Sequence, residues 1–164
     1  MEFSSFLSDV IATVVGGALI ALLFFWAKER LLPLPETTGR WYFEMRTEKT
    51  AYAPYAGMVL RYVAMLWREG HRIEGTVEKI YENSSTGERS FVGKNRTRGI
   101  VNGYVEKNYL APDRIFLHVI EDGHGRESTN IYDVIVQSDG GMIGSFHSMV
   151  ADQDGTVKWQ RDPF

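Results

Sequence analysis

One uninterrupted apolar segment near the N-terminus constrains this chain more than any other feature of its sequence. Residues 10–27, VIATVVGGALIALLFFWA, carry no charge, and a Lys-Glu-Arg triplet follows them directly. As a helix that rises about 1.5 Å per residue, the segment can cross most of a bilayer core of roughly 30 Å. Phe25 and Trp26 lie at its end, where aromatic rings favour the headgroup region. The sequence therefore predicts one N-terminal transmembrane helix.

Two other interpretations of this segment are a cleaved signal peptide and a buried core helix. A signal peptide begins with basic residues, whereas only Glu2 and Asp9 are charged before this segment. A core helix normally has a polar face, and this segment is apolar all round. Because Lys28 and Arg30 follow the span and no basic residue precedes it, the positive-inside rule places the C-terminal part in the cytoplasm. The absence of cysteine fits a reducing compartment.

Small residues recur at four-residue spacing along the apolar segment, on two adjacent stripes. Such stripes let helix backbones approach closely in lipid, and they predict self-association of the anchors. The alternative is that glycine is simply common in membrane helices. The residues concerned are Thr13, Gly17 and Ala21 on one stripe, and Ser8, Ala12 and Gly16 on the other.

A short proline-containing spacer separates the anchor from the rest of the chain. Residues 31–38, LLPLPETT, hold Pro33 and Pro35, and two prolines so close favour an extended segment over a helix. We therefore divide the chain into an anchor (1–30), a linker (31–38) and a cytoplasmic ligand-binding domain (39–164). The net charge of −3 argues against duplex nucleic acid as a partner.

The C-terminal domain has the pattern of antiparallel β-structure. Alternating β-branched and aromatic residues are separated by clusters of Gly, Asp, Asn and Ser, which are typical of tight turns. About eight strands in an up-and-down order close most naturally into a barrel, because closure removes both exposed edges. We thus predict an all-β, antiparallel, lipocalin-like barrel after one transmembrane helix. The candidate strands are 40–48, 58–69, 72–82, 89–94, 97–109, 114–121, 127–137, 142–151 and 156–161.

The first and last candidate strands carry a short recognisable pattern. Gly39-Arg40-Trp41 opens the first strand, and Arg161 lies in the last. This resembles the lipocalin signature, in which a first-strand tryptophan packs under an arginine of the closing strand. The resemblance implies a barrel plugged at one end, with a cation–π contact between Trp41 and Arg161. A membrane anchor and the lack of a disulfide are unusual for a secreted lipocalin.

Polar and aromatic residues of the strands are the candidates for a ligand pocket. An eight-stranded barrel can hold one small ligand, and alternation predicts which side chains share a face. The basic segment from Arg89 to Arg98, with Arg126 nearby, suits phosphate oxygens. The alternative for each residue is a solvated outer face, and a contact with anionic lipid is a third interpretation of the basic segment. The predicted ligand-binding residues are Arg96, Arg98, Asn102, Tyr104, Arg126, Asn130, Tyr132 and His147.

Nothing in the sequence indicates catalysis, a metal or a cofactor. The chain lacks a phosphate-binding loop of Walker spacing, a G-x-S-x-G motif and an H-E-x-x-H motif. Without cysteine, thiol chemistry and thiolate metal sites do not arise. His71, His118, His124 and His147 are dispersed. We predict a non-enzymatic protein.

An apolar anchor, a cytoplasmic side and a small β-barrel follow one another here, with Gly39-Arg40-Trp41, GIVNGY (99–104), Gly144-Ser145-Phe146 and the segment 155–159 in the barrel. This arrangement resembles the membrane-anchored effectors of bacterial cyclic-nucleotide anti-phage defence (CBASS), the SMODS-associated TM-β family. The resemblance implies a barrel that binds a cyclic dinucleotide, and anchors that oligomerise and disrupt the inner membrane. That family has two membrane segments, whereas one is visible here. The alternative is a membrane-tethered, lipocalin-like carrier or adaptor for an apolar ligand or a partner protein.

Overall fold

The computed structural model describes residues 2–123 and 126–164. The chain divides into two compact units, residues 1–34 and residues 35–164. The first unit is a single helix, α1 (Glu2–Leu31). Its 23-residue stretch Phe6–Lys28 is long and apolar enough to cross a membrane, and none of this stretch is buried. In the part of the chain that the structure describes, this is the one helix with that property.

The second unit is a closed antiparallel barrel of eight strands, as the sequence predicts. Consecutive barrel strands pair with one another, and the last strand returns to pair with the first. One short strand, β4, pairs only with the end of β3 and lies outside the barrel. The strands are β1 (Gly39–Lys49), β2 (Val59–Glu69), β3 (Arg72–Ser84), β4 (Gly87–Ser90), β5 (Arg98–Glu106), β6 (Arg114–Gly123), β7 (Arg126–Val136), β8 (Met142–Ser148) and β9 (Gln153–Gln160).

Large aromatic side chains fill one half of the barrel interior. The Phe43 ring stacks on Trp159, with centroids 3.9 Å apart, and on Tyr62 at 4.6 Å. Tyr132 meets both Phe43 and Trp159 edge-on. All four side chains are almost completely buried. This packing leaves no ligand space in that half, and it places any interior site at the other end.

The filled end is plugged by the predicted tryptophan–arginine pair. The Arg161 guanidinium lies 3.8 Å from the centre of the Trp41 ring, which confirms the expected cation–π contact. Arg161 also donates to the carbonyl oxygens of Glu36, Thr38 and Arg40. Trp41 Nε1 donates to the carbonyl oxygen of Thr37 at 2.7 Å. The arginine lies one residue beyond β9 instead of within it.

Two local predictions are wrong. The predicted strand 89–94 is instead the short outer strand β4 followed by a 3₁₀ turn, Gly93–Asn95. The turn predicted at 152–155 lies earlier, because Ala151 and Asp152 adopt positive φ angles and β9 begins at Gln153. Gly155 is an inward-facing strand residue, and a Cβ atom there would overlap the carbonyl oxygen of Arg46.

Candidate ligand-binding site at the open end of the barrel

Polar side chains line a cavity of about 180 Å³ at the end of the barrel opposite the Trp41–Arg161 plug. They come from the β1–β2 loop, the start of β2, the end of β3 and the strands β6 to β9. Apolar side chains form the rest of the wall. The lining residues are Met45, Tyr55, Met58, Leu60, Tyr62, Lys79, Glu82, Glu121, Ser128, Asn130, Ser148, Val150 and Gln153.

Glu121 is the buried acidic group of this cavity, with only 5% of its surface exposed. Its Oε2 accepts a hydrogen bond from the Tyr62 hydroxyl at 3.2 Å, and its Oε1 accepts one from Asn130 Nδ2 at 2.8 Å. Burial raises the pKa of Glu121, while these two hydrogen bonds and the charge of Lys79 act in the opposite direction. Desolvation of the carboxylate outweighs its partners, so burial favours the protonated form.

A β-bulge places an ion pair at the cavity in addition to Glu121. Tyr62 pairs with Lys79, while the preceding Arg61 pairs with Tyr81, so Ile80 is the extra residue. In a regular strand, residues three apart face opposite sides. The bulge brings both Lys79 and Glu82 to the inner side, where Lys79 Nζ lies 3.0 Å from Glu82 Oε2.

The β1–β2 loop and the β8–β9 turn hold the rim of the cavity together. Thr50 Oγ1 and Ala51 N both donate to the carbonyl oxygen of Ala151. Below them, Thr47 Oγ1 donates to Gln153 Oε1 at 2.9 Å. Tyr55, in a 3₁₀ turn of the same loop, lines the cavity. These bonds connect elements about a hundred residues apart in sequence, and they give the open end a defined wall.

A second, basic pocket of about 670 Å³ lies outside the barrel beside β4. Arg96 is held in place, since it pairs with Glu78 at 2.9 Å and donates to the carbonyl oxygen of Phe91. Arg89 and Lys94 are exposed and form no ion pair with any residue that the structure describes. Arg89 donates only to Thr86 Oγ1 there, at 3.4 Å. The lining residues are Arg89, Ser90, Phe91, Lys94, Asn95, Arg96, Thr97 and Asp122.

The basic pocket and the interior cavity share one wall of the barrel. Lys79 Nζ, inside, lies 5.0 Å from the centre of the Phe91 ring, which lines the outer pocket. Lys79 N also donates to the carbonyl oxygen of Thr97. On β6, Glu121 faces the cavity and the adjacent Asp122 lines the outer pocket. A ligand at either site therefore contacts elements that form the other.

The structure does not bring the predicted ligand-binding residues together. Asn130 lines the cavity, whereas Tyr132 is fully buried in the aromatic core and donates to Met45 Sδ. Arg96 lines the basic pocket, and Arg98 lies on the outer surface, 3.2 Å from Glu78. Arg126 begins β7. His124, one of the four dispersed histidines, is outside the described residues.

The expectation that Asn102, Tyr104 and His147 line the interior is wrong. On β5 the inward residues are Gly99, Val101, Gly103 and Val105, so Asn102 and Tyr104 face outward. Tyr104 instead stacks on Phe116 across the outer surface, with centroids 5.1 Å apart. His147 Nδ1 lies 2.9 Å from Asp154 Oδ1, also outside the barrel.

Sequence reasoning missed Tyr62, Lys79, Glu82 and Glu121. A signal for one of them was present, because Ile115, Leu117 and Val119 alternate with outward residues and Glu121 continues the same inward series. A carboxylate on the apolar side of a strand indicates a buried polar site. No such signal marks the bulge at Ile80. Within the described ranges, no three His, Asp or Glu side chains are grouped as metal ligands.

Comparison with known proteins bears on the fold. No protein-family model matches the sequence, and no curated protein matches it either. The chain is similar to a de novo designed fluorescence-activating β-barrel, with a TM-score of 0.50 and 17% sequence identity. The similarity covers 76% of this chain and 93% of the designed chain. At this identity the likeness supports the β-barrel fold alone.

Proposed function

We propose that this chain is a membrane-anchored, non-enzymatic effector whose barrel domain senses a cyclic dinucleotide or a related nucleotide. Its helix anchors it in the bacterial inner membrane with the barrel in the cytoplasm, and self-association of the helices disrupts that membrane in anti-phage defence. The order of parts supports this proposal, because an apolar helix and a closed β-barrel follow one another as in the family that the sequence resembles.

The basic pocket beside β4 is the observation that carries the proposal. Its lining contributes three cations, Arg89, Lys94 and Arg96, against one carboxylate, Asp122. Guanidinium groups bind phosphate oxygens in a bidentate manner, and the Phe91 ring lies within reach of a base held there. The volume of about 670 Å³ falls in the range of roughly 300–1,000 Å³ typical of ligand pockets.

The interior cavity is a poorer place for a nucleotide. Its volume of about 180 Å³ is below that range, and Glu82 and Glu121 would face the phosphates with only Lys79 to offset them. We therefore assign the phosphates to the outer pocket and do not place the ligand inside the barrel. The contact between Lys79 and Phe91 connects the outer site with the barrel interior.

In this proposal the N-terminal helices associate with one another and so assemble the protein. A Cβ atom added at Gly16 or Gly17 would meet nothing within 4 Å beyond the local helix backbone and chain neighbours. Both positions are thus open to a neighbouring helix. Tethering to a plane raises the local concentration of weakly associating partners, so a small ligand-induced contact between barrels is amplified in the bilayer.

Calorimetric titration of the full chain in detergent micelles with a panel of cyclic dinucleotides tests the proposal. We expect one member to bind, and the double change Arg89→Gln and Lys94→Gln to weaken binding by about tenfold or more, since charged hydrogen bonds contribute about 1.5–3 kcal/mol each. Lys49→Gln is the matched control, because Lys49 is an exposed cation outside the basic pocket. A folded chain that binds no member of the panel would reject the proposal.

The alternative of a carrier for an apolar ligand has less support. Such a carrier needs an apolar cavity, and the apolar half of the interior is filled by Trp41, Phe43, Tyr132 and Trp159. The remaining cavity has a polar wall of carboxylate, amide and hydroxyl groups.

A further inference from the structure

The geometry points to the cavity at the open end of the barrel as a binding site for a small primary ammonium ion, with Glu121 as the acceptor of its hydrogen bonds. This site is separate from the nucleotide pocket beside β4, and it does not depend on the proposed function. Glu121, Asn130 and Tyr62 line it on the polar side, and Met45, Met58 and Leu60 on the apolar side.

The cavity limits its ligand to a small molecule. Its volume is about 180 Å³, and a water molecule occupies about 30 Å³ in the liquid, so the cavity has room for about six waters. A molecule of about six non-hydrogen atoms therefore fits, whereas a nucleotide does not.

Glu121 retains hydrogen-bonding capacity toward the cavity. A carboxylate offers about four acceptor sites, and here the Tyr62 hydroxyl and the Asn130 amide occupy one site on each oxygen. A primary ammonium group carries three N–H donors. The hydroxyl oxygens of Ser128 and Ser148 line the same cavity and can accept the donors that Glu121 does not.

The charges of the cavity select a monocation. Lys79 and Glu82 form an ion pair at 3.0 Å, so their charges cancel, and ionised Glu121 leaves a net charge of −1. A monocation neutralises this charge, whereas an anion would double it. The titratable groups that the described elements direct toward Glu121 are Tyr62 from β2, Lys79 and Glu82 from β3, and Tyr132 from β7.

Binding of the ammonium ion is coupled to the protonation of Glu121. In the empty cavity, burial raises the pKa of Glu121 and favours its protonated form. The ammonium ion favours the carboxylate, so below the folded-state pKa of Glu121 binding releases the proton of Glu121 to the solvent. Burial also raises the pKa of Tyr62 and of Tyr132 well above 10, which excludes both phenols as the source of that proton near neutral pH.

The apolar wall accommodates a short alkyl chain. Met45, Met58 and Leu60 are each less than a tenth exposed, and Tyr55 lies beside them at the rim. Methionine adapts to ligands of irregular shape. An alkylammonium ion can place its nitrogen at Glu121, on the polar side of the cavity, and pack its carbons against this apolar wall.

Titration of the full chain in detergent micelles with n-butylammonium, 1-butanol and butyrate tests the site, since the three probes share an alkyl chain and differ in charge. We expect n-butylammonium to bind at least about tenfold more tightly than the other two. Calorimetry in two buffers of different ionisation enthalpy should show proton release. Equal or tighter binding of butyrate would overturn the inference, as would binding of n-butylammonium without release of a proton below the pKa of Glu121.

Substitutions in the cavity test whether n-butylammonium binds there. Glu121→Gln keeps the size of the side chain and removes its charge, and should weaken n-butylammonium binding by about tenfold or more. Glu106→Gln makes the same chemical change at the exposed end of β5, outside the cavity, and should leave n-butylammonium binding unchanged. Ser128→Leu fills the mouth of the cavity, and should abolish binding even if Glu121→Gln folds poorly. Unchanged binding in either cavity variant would overturn the inference, while the cyclic dinucleotide titration with Arg89→Gln and Lys94→Gln tests the other pocket separately.

Discussion

Glu121 shows how a single residue connects the stability of the barrel with its open end. A buried carboxylate is costly unless it is paired, and here Tyr62 and Asn130 donate to it while no cation bonds to it directly among the described residues. Tyr62 also stacks on Phe43 in the aromatic core. Tyr62 therefore links Glu121 at the open end to the packed half of the barrel through direct contacts.

Replacing Glu121 with Gln should make the stability of the barrel less dependent on pH. Burial raises the pKa of Glu121 in the folded state. The stabilising contribution of protonated Glu121 is therefore fully present below the pKa of an unfolded Glu, about 4.3. This stabilisation is lost as the pH rises through the higher folded-state pKa of Glu121. We expect Glu121→Gln to raise the unfolding midpoint relative to the native chain at pH 7, with a difference that narrows toward pH 4. Thermal unfolding followed by circular dichroism between pH 4 and pH 8 measures this difference.

Asp122→Asn is the control for that experiment, because Asp122 follows Glu121 in the strand and its carboxylate is exposed. It should not reproduce the pH-dependent difference. An unfolding midpoint for Glu121→Gln that stays offset from the native value by the same amount at every pH would contradict the burial argument.

At the scale of the strands, small residues decide which face turns inward. On β5 the inward series is Gly99, Val101, Gly103, Val105, and the larger Ile100, Asn102 and Tyr104 face outward. A Cβ atom at Gly103 would overlap the carbonyl oxygen of Phe116. The backbone of β6 approaches so closely that β5 has room only for a very small side chain at this position.

Gly144→Ala in β8 should destabilise the barrel by about 1–3 kcal/mol, the usual cost of overpacking. Gly144 faces inward opposite Val134, and an added Cβ atom would overlap the backbone carbonyl of Asp133. Chemical denaturation of the full chain in detergent measures the loss.

Ser145→Ala, the outward neighbour, provides the control and should change the free energy of unfolding by less than about 0.5 kcal/mol. Equal stability of Gly144→Ala and Ser145→Ala would show that β7 and β8 can separate at this position without cost.

The lipocalin resemblance predicted the Trp41–Arg161 plug. The alternation of residues predicted the strands and the closed barrel, because period-two patterns and turn residues are local properties of the sequence. It also places Asn102 and Tyr104, two residues apart on β5, on one face. It did not establish which face is inside, since that depends on how much volume the other strands already occupy. The bulge at Ile80 brings Lys79 and Glu82 together by the pairing of β2 with β3, a long-range property with no local signal.

At the scale of the whole molecule, the helix and the barrel differ in where their apolar side chains lie. The stretch Phe6–Lys28 has a mean hydropathy of 2.4 and is unburied by the rest of the chain, whereas the barrel buries its aromatic residues within itself. A bilayer can accommodate an apolar helix of this length, because the backbone N–H and C=O groups of the helix hydrogen-bond to one another. Packing of several such helices then depends on where their backbones approach most closely.

Enlarging the glycine pair of the anchor should weaken self-association of the full chain. Gly16→Leu combined with Gly17→Leu adds bulk on the small-residue stripes that include Ala12, Thr13 and Ala21, and the backbones of neighbouring helices would then be held apart. We expect the association constant in detergent micelles to fall about tenfold, or about 1.4 kcal/mol, as measured by energy transfer between labelled chains. Ala18→Leu adds bulk on the side of the helix away from Gly16 and from the middle of the two stripes, and should leave association unchanged. If the two variants weaken association equally, the stripes do not form the contact; if neither variant weakens it, the barrels rather than the anchors hold the assembly together.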